Sequence, residues 1–133
     1  MNYSIGEFSK ITNLSIDTLR YYEKEGLISP ERKDNGRRYY NENDVIWLEF
    51  IKRLKETKMP IKEIQKYSKL RAIGDVTMGE RMDMLIKHRT ELEKEIIKAN
   101  ENLQKLNDKI AFYKAAIDEK SESKFERNHL NIE

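Results

Sequence analysis

Arg20 lies in the stretch Ser-Ile-Asp-Thr-Leu-Arg-Tyr-Tyr-Glu-Lys-Glu-Gly-Leu, residues 15–27, with Thr18 two positions before it and Tyr21 directly after. A guanidinium donates hydrogen bonds in a planar fork that fits phosphates and base edges, and neighbouring hydroxyls add directional bonds. A second group of cations, Arg32, Lys33, Arg37 and Arg38, brackets Asn35-Gly36. Cations clustered in this way suit a polyanion, because each phosphate they neutralise releases counterions. The plain alternatives are the charged surface of an ordinary core helix and a solvated turn. Other chemistry is thinly provided for. Without cysteine there is no disulfide, thiolate metal site or thiol sensor. His88 and His129 stand far apart, and the carboxylates are scattered at surface spacing. Catalysis needs a nucleophile–base pair or a carboxylate dyad in a pocket. The sequence therefore reads as a non-enzyme that needs no cofactor and no metal.

Composition sets the outer bounds. A chain of 133 residues has room for one domain of average size, or a small domain plus a long element. Charged residues make up 38% and hydrophobic ones 38%, which is too apolar for disorder throughout. Net charge is only +2, but it is unevenly split. Residues 1–74 hold 15 Lys+Arg against 11 Asp+Glu, and residues 75–133 hold 11 against 13, so the basic excess sits with Arg20. No apolar run approaches the roughly 18 residues of a membrane span and no signal peptide is visible, so the expectation is a cytoplasmic protein that meets no membrane.

The elements that position these cations follow from spacing. Ser4 and Glu7 form a capping-box pattern ahead of Ile5, Phe8 and Ile11 at helical spacing. Thr12-Asn13-Leu14 is a short break. Ser15 then caps a second helix, with Asp17 in its first turn, where the helix dipole favours negative charge. Ile16, Leu19 and Tyr22 make its apolar stripe, Gly26 suits the left-handed residue after its end, and Ser29-Pro30 prevents continuation. Two short helices so joined are a helix-turn-helix candidate. Asn35-Gly36 predicts a two-residue hairpin turn with arms Glu31–Lys33 and Arg37–Tyr39. Asn41 caps a helix through Thr57 whose broad apolar face carries Val45, Trp47, Leu48, Phe50, Ile51 and Leu54. After Met59-Pro60, Ile61, Ile64, Tyr67 and Leu70 give a further amphipathic helix, and Gly74-Asp75 closes the compact part.

Thr77 and Glu80 repeat the capping-box pattern and open the longest helix. From there a three–four spacing runs through Met82, Leu85, Arg89, Leu92, Ile96, Ala99, Leu103, Leu106, Ile110, Tyr113 and Ile117, with no proline or glycine between. This is a heptad seam, the signature of a coiled coil, and it spans about 54 Å at ~1.5 Å per residue. A stripe this long has no partner elsewhere in the chain, so its economical partner is a second copy. Arg89 is the one misfit: it could snorkel outwards, pair with a carboxylate of the mate, or mark where the seam meets the N-terminal domain. The expected organisation is a helix-turn-helix domain carrying these cations at 1–74, a dimerisation helix at 75–117, and a frayed or disordered tail at 118–133.

The order of these parts resembles the MerR family of bacterial transcription regulators over residues 3–117. The carriers are Ser4-Ile-Gly-Glu-Phe-Ser, Leu19-Arg-Tyr-Tyr-Glu, and Arg38-Tyr-Tyr after Asn35-Gly-Arg. The resemblance implies a mainly α fold: a winged helix-turn-helix, a second helix pair, and a long coiled-coil helix forming an antiparallel homodimer. It places Thr18, Arg20, Tyr21 and Tyr22 on the recognition helix, Arg37, Arg38 and Tyr39 on the wing, and makes Lys55 a phosphate contact. It assigns dimerisation to Leu85, Leu92, Ile96, Leu103, Leu106, Ile110 and Tyr113. The implied partners are double-stranded promoter DNA, a second copy, and bacterial RNA polymerase. The missing cysteines set the chain apart from members that sense metals or thiols, and the effector stays open.

The competing reading is a coiled-coil interaction module whose N-terminal domain binds a protein. Arg20 and the basic hairpin weigh against it, since a protein-binding face wants an exposed apolar anchor. The seam generates a direct test. Leu103→Glu places a carboxylate at its centre, where pairing would bury the charge. Sedimentation should find the parent chain dimeric and this variant shifted to monomer.

Overall fold

The computed structural model describes the backbone of residues 1–132 and the side chains of residues 1–123. Local chemistry sets most boundaries. Strand β1 (Tyr3–Ser4) runs directly into helix α1 (Ile5–Thr12). The Ser4 hydroxyl accepts from the Glu7 amide at 3.1 Å and the Glu7 carboxylate accepts from the Ser4 amide at 3.0 Å, which completes the capping box. Helix α2 (Ile16–Lys24) starts at Ser15, whose hydroxyl accepts from the Thr18 amide. Helix α3 (Glu42–Glu56) starts at Asn41, which exchanges two bonds with Asp44. Helix α4 (Ile61–Ile73) follows Pro60.

Three of these helices end in the same way. The amide of Leu14 bonds the carbonyl of Ser9, Leu27 that of Tyr22, and Met59 that of Leu54. Each closes a turn whose preceding residue is left-handed: Asn13 (φ 59°), Gly26 (φ 76°) and Lys58 (φ 64°). Glycine meets no steric cost there, asparagine little, and lysine the full cost of its Cβ.

The sheet is three-stranded and antiparallel in the order β1-β3-β2, with β2 at Glu31–Arg32 and β3 at Arg38–Tyr40. Tyr3 pairs with Tyr40, and Arg32 with Arg38. Strand β1 carries no signal in the sequence, and the turn differs from the two-residue one expected. Lys33 pairs with Arg37, and the loop between them has three residues, Asp34-Asn35-Gly36. Among the three, Gly36 takes positive φ (82°), whereas a two-residue Asn-Gly turn would require it of Asn35 as well.

Residues 1–89 form one compact unit and residues 90–133 another. In the first, Phe8, Leu19, Tyr22, Leu27, Leu48, Ile51 and Ile64 are core. The Phe8 and Tyr40 rings stack at 4.0 Å, Trp47 stacks on Tyr67 at 5.7 Å, and the Arg71 guanidinium covers Trp47. The Tyr40 hydroxyl is buried with no hydrogen-bond partner among the described residues, and burial pushes its pKa up to about 12, with the Glu23 charge adding to the shift. Helix α5 (Met78–Ile132) follows a 3-10 turn at Asp75–Thr77. Its opening turns belong to the first unit, where Met84 and Leu85 pack on the core. The compact part therefore reaches Arg89, beyond the Gly74-Asp75 close read from sequence. The Thr77 hydroxyl is directed at the carbonyls of Leu70 and Gly74 and accepts from Arg81 Nε, tying α5 to the end of α4.

In the second unit the seam positions Ile96, Leu103, Leu106, Ile110, Tyr113 and Ile117 are each more than half exposed. Leu92 is half-buried. The tail expected from Asp118 is helical where described, and its residues from Lys124 lie outside the described side chains.

The left-handed helix ends give a test of opposite sign. Urea unfolding should show Lys58→Gly more stable by up to about 1 kcal/mol, and Gly26→Ala less stable by about 1 kcal/mol.

Candidate nucleic-acid interface

The site is built along the two sides of α2. Its inner stripe is spoken for. Leu19 and Tyr22 are core residues, and the exit of the helix is held from behind. Trp47 Nε1 donates to the Leu27 carbonyl at 2.8 Å, Ser68 Oγ donates to the same oxygen at 3.1 Å, and Gln65 Nε2 donates to the Glu25 carbonyl at 2.8 Å. Its outer stripe, Asp17, Arg20, Tyr21 and Lys24, faces solvent. Arg20 touches Asp17 only loosely, at 3.9 Å with both side chains exposed, a pair worth little in water. The Arg20 fork can therefore turn to a ligand. Thr18 is half-buried, and its hydroxyl accepts from Ser15 Oγ at 2.8 Å, so it stands at a fixed point of the first turn.

Two adjacent residues of α2 place the flanking elements. Tyr22 is 5% exposed, and the Lys55 ammonium sits 4.6 Å from its ring centroid. A cation over an aromatic face is held electrostatically, so the ring orients the last turn of α3 while Lys55 stays exposed. Tyr22, which spacing put on the apolar stripe and the family resemblance put among the DNA-binding residues, is a core residue that carries Lys55. Glu23 reaches the other way. Its Oε1 accepts from Arg32 at 2.6 Å and its Oε2 from Arg38 Nε. Burial pushes the Glu23 carboxyl up, but the two guanidiniums outweigh this and hold it below its usual range.

The wing is therefore not a uniform row of free cations. Arg38, 25% exposed, is engaged with Glu23 of α2. Arg37 points outwards and is exposed. Tyr39 is half-buried; its hydroxyl donates to Glu31 across the strands at 2.6 Å, which raises its pKa. Lys52, not singled out in the sequence, donates to the Thr12 carbonyl at the end of α1, where a cation suits the dipole. Glu23 was also missed. It stands out as a carboxylate on a basic stretch, but its partners lie nine and fifteen residues on, beyond any local pattern.

Among the described residues no group of His, Cys, Asp and Glu could hold a metal, and no helix is long and apolar enough to cross a membrane. The surface left by these ties is cationic and hydroxyl-bearing: Arg20 and Tyr21 at the centre, Arg37 on one flank, Lys55 on the other. It can form charge-assisted hydrogen bonds to phosphates and base edges.

The pattern described as MerR HTH family regulatory protein matches residues 3–70. The HTH-type transcriptional regulator YyaN of Bacillus subtilis (strain 168) is 34% identical, over 92% of this chain and 98% of its own. HiNmlR, a MerR family regulator lacking the sensor domain and solved bound to promoter DNA, is 32% identical, with TM-score 0.75 over 87% of this chain and 93% of its own. A regulator from Listeria monocytogenes ascribed to the same family is 32% identical, with TM-score 0.83 over 94% and 98%.

Lys55 provides the test of this geometry. Lys55→Ala should weaken binding to all duplex sequences alike and reduce the salt slope by about one, read by fluorescence anisotropy across a salt series.

Proposed function

The chain belongs to the MerR family of HTH regulatory proteins, and from that premise we propose that it acts as a homodimer on a pseudo-palindromic operator in the promoter spacer, regulating transcription by deforming DNA. Its relatives are DNA-binding transcription regulators, not enzymes. The observation that carries the reading is the outer stripe of α2. Arg20 and Tyr21 stand exposed on a helix whose inner side is bolted to the core, and cations flank it on the wing and on α3. A helix held this way can enter a major groove as a rigid reader while Arg37 and Lys55 take the backbone.

Two copies would join through the apolar seam of α5, with Leu92, Ile96, Leu103, Leu106, Ile110 and Tyr113 between them. Two recognition helices linked by a stiff coil engage two half-sites at a set separation. Such a dimer bends or untwists the duplex when its added phosphate contacts exceed a deformation cost of roughly 1–6 kcal/mol. The promoter elements that RNA polymerase reads would then change register, and polymerase would meet the protein on that DNA. HiNmlR, solved on promoter DNA, supports promoter binding by this chain.

Two experiments test the reading. Arg20→Ala should cost about 1–3 kcal/mol on the selected operator and relax sequence preference. Inserting or deleting two base pairs between the polymerase elements, with both half-sites intact, should abolish or invert regulation in a transcription assay. Regulation that survives both changes would replace deformation by simple occlusion.

A further inference from the structure

Glu23 is an acidic side chain at a surface where charge should favour DNA. It faces the wing, and the two wing strands each send it one arginine: Arg32 from β2 and Arg38 from β3. Each carboxylate oxygen takes one guanidinium. The Arg32 fork is filled at both ends, because its other terminal nitrogen donates to the Gly36 carbonyl at 2.9 Å. Glu23 and Arg38 are each about three-quarters covered, so the pair is poorly screened by water and strong.

We propose that Glu23 is a specificity-determining residue that holds Arg32 and Arg38 away from DNA phosphates, so that contacts of α2, and not bulk charge, decide which sequence the protein retains. A guanidinium committed to a carboxylate neutralises no phosphate and releases no counterion, so it adds little to the sequence-independent affinity. That affinity is what a regulator must limit, since random duplex competes with the operator at every position. The carboxylate removes part of the non-specific term, while Arg20, held only by a loose contact with Asp17, keeps its fork for reading. The inference rests on the DNA-binding reading above and adds a role that a mere brace would not have. A brace, once lost, would loosen the wing and lower affinity for all DNA. Loss of a withholding carboxylate does the reverse.

The full-length chain is titrated onto a short random-sequence duplex and onto an operator selected in vitro with the parent protein, from about 50 to 200 mM salt. Glu23→Gln should raise affinity for the random duplex about 3–10-fold and steepen its salt slope by about one for each released arginine, about two in all, while the operator-to-random ratio falls. Arg32→Gln is read alone and in the Glu23→Gln background. It should move the slope by less than about half in the parent chain and by about one in the variant. Because the single Arg32→Gln arm keeps the α2 carboxylate, it tests the idea even if Glu23→Gln does not fold: a full unit of slope lost there overturns it. Affinity for random duplex that is unchanged or lower in folded Glu23→Gln also overturns it. A parent chain with no salt-dependent DNA affinity would overturn the DNA-binding reading with it, whereas normal parent binding with an unmoved variant sinks this inference alone.

Discussion

The Leu27 carbonyl is where the first unit is tied together. It lies just past the end of α2, where the chain must turn, and it receives Trp47 from α3 and Ser68 from α4. A buried carbonyl left without a donor would cost about 1–3 kcal/mol, so the helix exit is stable only with the second helix pair in place. Gln65 repeats the arrangement one turn back, at Glu25. The recognition helix therefore has no independent orientation. Its angle is inherited from α3 and α4, whose aromatic layer of Trp47, Phe50 and Tyr67 supplies the rigidity.

From that fixed helix, two neighbouring side chains project the rest of the site. Tyr22 carries Lys55 by a cation–aromatic contact, and Glu23 carries the wing by charge. The two contacts differ in kind. The first leaves the cation exposed and available; the second consumes both cations it touches. A surface that looks uniformly basic in composition is thus graded, with engaged arginines at the root of the wing and available ones at Arg20 and Arg37.

Helix α5 works under two regimes. Its opening turns, with Met84 and Leu85, pack on the core of the first unit. From Thr90 onwards it belongs to the second unit, and its apolar seam lies open. The change falls at Arg89, the one charged residue on the seam. Leucine and isoleucine at heptad spacing are the pattern that packs into a coiled coil.

The amino-acid sequence by itself determined whatever depends on near neighbours. The caps at Ser4, Ser15 and Asn41, the left-handed Gly26, the helix-turn-helix pair and the heptad seam were all legible, because each is a bond or a spacing within a few residues. The family was legible from the Leu19–Glu23 and Arg38–Tyr40 pieces for the same reason. The tertiary structure decided what those residues do. Tyr22 lies on the apolar stripe read from spacing, but that its ring carries Lys55 comes from packing; Arg38 reads as a free cation, yet it is committed to Glu23. Strand β1 went unseen because two residues carry no period, and it exists only by pairing with Tyr39 and Tyr40. The three-residue hairpin loop escaped because Asn-Gly satisfies two turn geometries, and strand register chooses between them. In each case the deciding partner lies nine or more residues away or on another element. Hydrogen-bond satisfaction and burial there are settled by packing, which local propensity does not encode.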